Sequence, residues 1–286
     1  MSGIQIFSGL FICILMIIKP FLYKPAARHF PAELSAVFTC MWLMAAILLT
    51  FPFLGRSFVE QMPELSATPF FWISIAKGVA LWGFTGVQQV INKDSTSSSV
   101  FFGFIALALS CLVNNLFFNE GLAPFQLFCI CCFGVLGAAF MIFGDARRLS
   151  GKGKLLFVLM VVLGAFFSVA DHLAIPQVGW YGHLVLSYSA MLAACLLRGI
   201  TKADIISVFG RRELAVAGIF NAAGEFFVIF ASINLLPVSF VSLFNRLSVP
   251  IVMLVSAYVF REQTMRNQLV FGILALLLAI PLILFR

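Results

Sequence analysis

Lys77, Glu225 and Arg246 each stand inside an apolar stretch of this chain, where an ionisable side chain is costly and marks a functional position. Lys77 shares a helical stripe with Phe84 and Gln88. Asn221 lies one turn before Glu225, beside the small residues Ala222 and Gly224, and Ser239, Ser242, Arg246, Pro250 and Met253 form a third stripe. Lipid offers such stripes no hydrogen-bond partners, so each should face protein or water. Two cations with one carboxylate suit an anionic or zwitterionic solute, because a guanidinium holds a carboxylate through two parallel hydrogen bonds. Trp82 lies deep enough in the stretch carrying Lys77 to line the same cavity. The expected substrate contacts are therefore Lys77, Trp82, Gln88, Asn221, Glu225, Ser242 and Arg246. Glu225 is also the expected coupling group, with Asp171 as a second. A carboxylate beside a cation inside a membrane can take up and release a proton. The same residues are open to a purely structural reading, in which Glu225 and Arg246 form an ion pair that holds two helices together.

The remaining polar residues suggest less chemistry. Lys19 is close enough to a span end to snorkel to the interface. Asp171 and His172 fall near the end of the sixth span, where an interfacial and a cavity role are both open. Asn114 and Asn115 read as local backbone or helix–helix contacts, and Glu120 and Glu262 as helix-end groups. His29, His172 and His183 lack metal-ligand spacing. The seven cysteines lie mostly within apolar runs, so neither a metal site nor a disulfide is expected. No glycine-rich nucleotide loop occurs, so nucleotide-driven pumping is not expected and no cofactor is implied.

These residues have to be positioned by membrane-spanning elements. Of 286 residues, 62% are hydrophobic and 10% charged, against roughly 45–50% and 25% in soluble domains. The chain has too few polar residues to cover a water-soluble surface. A span needs about 20 apolar residues, and the apolar runs divide into helices near 4–23, 33–54, 70–91, 96–118, 123–144, 154–174, 180–199, 212–236, 238–260 and 264–285. Pro31, Pro63, Pro69, Pro124 and Pro237 fall at or near their starts. The first span follows no basic residue and meets no small-residue cleavage site, so it reads as retained.

Thirteen of the 18 Lys and Arg lie in the odd-numbered connections, and only Arg56 and Arg286 lie in the even ones and the termini. Cytoplasmic loops carry the basic excess. The odd connections should therefore be cytoplasmic and both termini outside. The net charge of +7 is a topology signal on this reading, and no nucleic-acid partner is implied.

The halves resemble each other. At one fixed offset Asn92 matches Asn234, Ser97 matches Ser239, Glu120 matches Glu262 and Gln126 matches Gln268. Five spans per half would make the second half enter from the opposite side, which is an inverted repeat with a binding site between the repeats. Residues Thr96-Ser97-Ser98-Ser99, then Phe118-Asn119-Glu120-Gly121-Leu122 with Gln126, return as Val238-Ser239 through Pro250 to Phe260-Arg261-Glu262 with Gln268. This pattern resembles the EamA-type signature of the drug/metabolite transporter superfamily. The resemblance implies an all-α membrane protein of ten transmembrane helices, in two inverted five-helix repeats at 1–149 and 150–286, working as a secondary transporter. It departs from common members in its expected outside termini and in Leu15 to Lys19-Pro20 of the first helix.

Three functions compete. The first is a secondary transporter of a small carboxylate-bearing metabolite, such as an amino acid. The second is a flippase for a lipid or lipid-linked sugar, and the third an intramembrane enzyme, for which no nucleophile–base pair recurs at helical spacing. The expected partners are a small-molecule substrate and membrane lipid, with a homo-oligomer open. The expected location is multi-pass in a bacterial inner (plasma) membrane.

Overall fold

Long runs of Leu, Ala, Phe and Val that must satisfy their own backbone groups in lipid have one economical solution, the α-helix. The computed structural model describes residues 3–29, 32–94, 96–118, 123–143, 149–210, 212–235, 238–259, 270–275 and 277–278, with the backbone alone described at some positions, 242 and 246 among them. The named elements are α1 (Gly3–His29), α2 (Ala32–Leu54), α3 (Arg56–Leu65), α4 (Pro69–Asp94), α5 (Thr96–Phe118), α6 (Pro124–Phe143), α7 (Gly151–Val178), α8 (Trp180–Leu197), α9 (Lys202–Phe209), α10 (Arg212–Asn234) and α11 (Val238–Val259). Residues 270–275 are also helical, and no strand occurs among the described residues.

Among the described residues five helices are long and apolar enough to cross a membrane: α2 from Ala36, α4 to Gln88, α6, α7 and α8. Shorter apolar stretches occupy Gly3–Lys19, Phe102–Phe118 and Ala215–Ala231. Leu49, Phe53, Phe117, Val135 and Leu197 are largely exposed on these helices. A monomer in water rarely presents so much apolar surface. This is the pattern of an integral membrane protein.

Two short helices depart from the expected spans. In α3 the buried Phe58 packs with Phe71, Val178 and Leu186, while Arg56 and Glu60 pair on the exposed side at 3.1 Å. Pro63 lies within this helix and not at a start. Pro69 and Pro124 do open α4 and α6, where a missing N–H costs nothing; Pro31 and Pro237 lie outside the described residues. A search for apolar runs passes over so polar a ten-residue helix. The other, α9, is started by Thr201 and Asp204. The Asp204 N–H donates to Thr201 Oγ1 (3.3 Å) and the Thr201 N–H to Asp204 Oδ2 (2.9 Å). The Thr201 side-chain hydrogen bond, then its backbone one, hold the Asp204 carboxyl below the ordinary carboxylate range.

The connection expected at 174–180 shrinks to one residue. α7 runs on through Pro176 to Val178, and α8 begins at Trp180. Ala174, Ile175 and Val178 are buried, and that packing continues the helix past a proline that interrupts its hydrogen-bond ladder. Gly179 turns the chain at φ +78° and ψ 149°, a region open essentially to glycine alone.

The chain forms two units. Unit 1 takes Met1–Phe21, Val90–Val169 and Ser239–Arg286; unit 2 takes Leu22–Gln89 and Ala170–Val238. In unit 1, α5 packs on α6, with Phe104 stacked on Phe133 at 4.9 Å. Gln126 accepts from the Ala123 N–H at 3.0 Å, so this motif residue caps the start of α6. In unit 2, α2 packs against α8 and α10, burying Phe38, Leu43, Ile47, Leu184, Tyr188 and Met191. The Cys40 thiol donates to the Tyr188 carbonyl at 3.4 Å, and the Tyr181 hydroxyl to the Ile47 carbonyl at 2.9 Å.

Candidate functional site

The polar residues of unit 2 meet where α4, α7 and α8 come together. α4 and α8 lie side by side and run the same way. The Ser187 hydroxyl donates to the Ser74 carbonyl at 3.0 Å, and Gly78, one turn on, leaves no room for a Cβ against the Ser187 carbonyl oxygen. α7 returns through Gly179 and brings Asp171 to within reach of His183, twelve residues later.

Lys77 Nζ pairs with Asp171 Oδ1 and lies 3.2 Å from His183 Nε2. His183 Nε2 is 2.8 Å from the same Asp171 oxygen, and His183 Nδ1 is 2.8 Å from Ser74 Oγ. The Ser74 hydroxyl is also 3.0 Å from the Phe70 carbonyl oxygen. His183 and Ser74 are fully buried and Lys77 is 5% exposed, whereas the Asp171 side chain is 21% exposed. Asp171 is thus the member through which the cluster reaches the outside of the unit. In a low-dielectric interior a cation persists only with a close counter-charge and hydrogen-bond partners, and Lys77 has Asp171 and His183. Such a group can bind a proton, or admit an anion that competes with Asp171 for the ammonium.

Lys77 and Asp171 are therefore brought together, from elements 94 residues apart in sequence. Asp171 is not near a helix end as expected, because α7 continues two turns beyond it. Asn221 is 2% exposed in α10, and neither its amide nitrogen nor its oxygen has a hydrogen-bond partner. Trp42 Nε1 also lacks one, and its indole packs on Gly218, one turn from Asn221. Two unsatisfied buried groups this close on α2 and α10 make a polar spot in an otherwise apolar core. Glu225 and Gln88 are half-buried. The Trp82 ring lies 5.4 Å from the Arg198 guanidinium, a cation–π contact at the end of α8.

Ser242 and Arg246 are on α11, in unit 1, and their side chains lie outside the described residues, as does the expected meeting of Arg246 with Lys77 and Glu225. The same holds for Glu120, Glu262 and Gln268 and for the side chains of Asn92, Ser97 and Ser239. Asn114 corrects the expectation of a helix–helix contact: it is buried in α5 with no hydrogen-bond partner on either amide atom.

Ser74 and His183 were missed by the reading of the sequence. The signal was there in outline. Ser74 and Lys77 are three apart on α4, and His183 and Ser187 four apart on α8, so each pair shares a helical face. Metal-ligand spacing says nothing about an imidazole shared between a hydroxyl and a carboxylate on other helices. A comparison with protein-family models gives no match to this chain, and neither does one with curated protein sequences.

Proposed function

We propose that this protein is a secondary transporter of the EamA type, moving a small carboxylate-bearing metabolite by alternating access across a bacterial inner (plasma) membrane. The observation that carries the proposal is the Lys77–Asp171–His183 cluster, charges held inside membrane-crossing helices. Such charges are costly in a membrane interior even when paired, and they mark substrate and proton pathways. A substrate carboxylate would compete with Asp171 for the Lys77 ammonium, and Asn221, with its unmet amide, would take another polar group of the solute.

The proposal includes ten spans in two inverted repeats, and two features support it. Unit 2 draws its helices from the second and third expected spans of each half (α2, α4, α8 and α10), and unit 1 draws on the first, fourth and fifth of each. Equivalent spans thus go to the same unit. α4 and α8 run the same way, as three crossings between them (α5, α6 and α7) require.

One observation favours an enzyme instead: Ser74, His183 and Asp171 follow one another as a hydroxyl, an imidazole and a carboxylate. Burial of Ser74 away from any acyl substrate and the Lys77 charge on Asp171 weigh toward transport. The test is uptake of a labelled amino-acid and carboxylate panel into proteoliposomes. Accumulation above protein-free vesicles that is lost in Lys77→Ala is expected; no accumulation of any member would refute the reading.

A further inference from the structure

We infer that His183 Nε2 is a built proton-binding site, loaded and unloaded through Asp171. Ser74 sets the tautomer. Its hydroxyl donates to the Phe70 carbonyl at 3.0 Å, within its own helix, so its oxygen has only lone pairs to offer His183 Nδ1 at 2.8 Å. Nδ1 therefore carries a hydrogen and donates it to Ser74. The second nitrogen then faces two unlike partners at once. Lys77 Nζ, a donor, is 3.2 Å from Nε2, and Asp171 Oδ1, an acceptor, is 2.8 Å from it. Without a proton Nε2 accepts from Lys77. With one, it donates to Asp171. Neither state leaves a buried polar atom unpaired, so the change of charge does not also cost a lost hydrogen bond.

The proton balance is simple. A proton delivered by hydronium from solution, which is left as water, reaches the Asp171 carboxylate, the one partly exposed member of the cluster, passes to the Nε2 lone pair 2.8 Å away, and forms an imidazolium. Release reverses the two steps, and no other bond forms or breaks. The ionisable groups around His183 are consistent with a single site. Lys77 comes from α4 and Asp171, with its neighbour His172, from α7. α2 carries Cys40, whose thiol donates to Tyr188, and α10 carries the half-buried Glu225. α3 keeps Arg56, Glu60 and Glu64 exposed, and α8 itself adds Tyr181, Tyr188 and Cys195. Loading makes the cluster one charge more positive, so proton and anionic solute should bind together. That coupling rests on the transport reading above; the proton site itself does not.

The two are separated by measuring the site without any substrate. The protein is labelled with 15N-histidine, reconstituted in nanodiscs and titrated across about pH 4 to 10, which brackets ordinary imidazole behaviour. A His29→Gln/His172→Gln variant reports His183 alone, and the wild-type spectrum minus that of His183→Gln gives the same signal independently. The expected result is one imidazole whose Nε2 moves through its full range from bare to protonated while Nδ1 stays protonated throughout. In Ser74→Ala, where Nδ1 loses its acceptor, the titrating nitrogen should change from Nε2 to Nδ1. An imidazole that does not titrate, or one whose Nδ1 titrates in the wild type, would overturn the assignment. Coupling is read in proteoliposomes. A pH gradient should accelerate labelled-carboxylate uptake in the wild type and have no effect in His183→Gln. A normal 15N titration with no carboxylate uptake would count against transport and leave the proton site standing, whereas gradient-driven uptake in His183→Gln would remove His183 from coupling.

Discussion

Gly78 of α4 lies so close to α8 that any Cβ at this position would meet the Ser187 carbonyl oxygen. This contact sets the spacing that lets Ser74, one turn earlier, bond both His183 Nδ1 and, through its carbonyl, the Ser187 hydroxyl. The obstacle is backbone and cannot rotate away.

Gly78→Ala should therefore separate the two helices by forcing a backbone shift. Overpacking of this kind costs about 1–3 kcal/mol. A fall in the melting temperature of the detergent-solubilised protein, together with weakened uptake, is the expected outcome. An alanine variant of wild-type stability would mean that α4 and α8 are not held this closely.

Gly179→Ala addresses the turn that sets Asp171 against His183. At φ +78° and ψ 149° an alanine would be strained by roughly 1–3 kcal/mol, although space for the methyl group is open. Loss of stability should appear in thermal unfolding without the steric signature of Gly78→Ala, since a larger residue at 179 should cost little more than alanine.

Lys77→Ala should leave the half-buried Asp171 carboxylate beside His183 without the Lys77 counter-charge. Breaking a buried pair in this way costs about 3–5 kcal/mol. Lys77→Met with Asp171→Leu removes both charges and should recover most of that loss in a thermal-unfolding assay, while uptake stays absent. If the double variant is as unstable as the single one, the pair is not what the destabilisation reports.

Asn221→Leu replaces an amide without partners by an apolar group of similar size. Relief of an unmet buried donor and acceptor is worth about 1–3 kcal/mol. The variant should melt higher than the wild type and bind the solute more weakly, seen as a raised KM. Unchanged KM with raised stability would take Asn221 out of the substrate pathway.

Loop charge gives an expected orientation. Both termini should be labelled by an impermeant reagent in intact cells, and cysteines placed in 144–154 and 198–212 should be protected. Protection of tags at both ends would reverse the orientation and leave the helices unchanged.

Much of the architecture was legible in the residues themselves, because a bilayer reduces the choice of backbone to one answer and hydropathy then reports where it is used. The long apolar runs of α2, α4, α6, α7 and α8 are of this kind. What hydropathy does not weigh stayed hidden: α3 and α9, whose polar residues break an apolar run, and the continuation of α7 through Pro176, which depends on burial of Ala174, Ile175 and Val178. The cost of charge in lipid likewise singled out Lys77 from composition alone, since desolvation depends on the residue and its surroundings and not on its partner. Its partner was decided in three dimensions. Nothing in the spacing of Lys77, Asp171 and His183 relates them. Only the close approach of α4 to α8 at Gly78 and the one-residue turn at Gly179 place a carboxylate and an imidazole around that ammonium, because hydrogen bonds act over about 3 Å and sequence distance carries no information at that range.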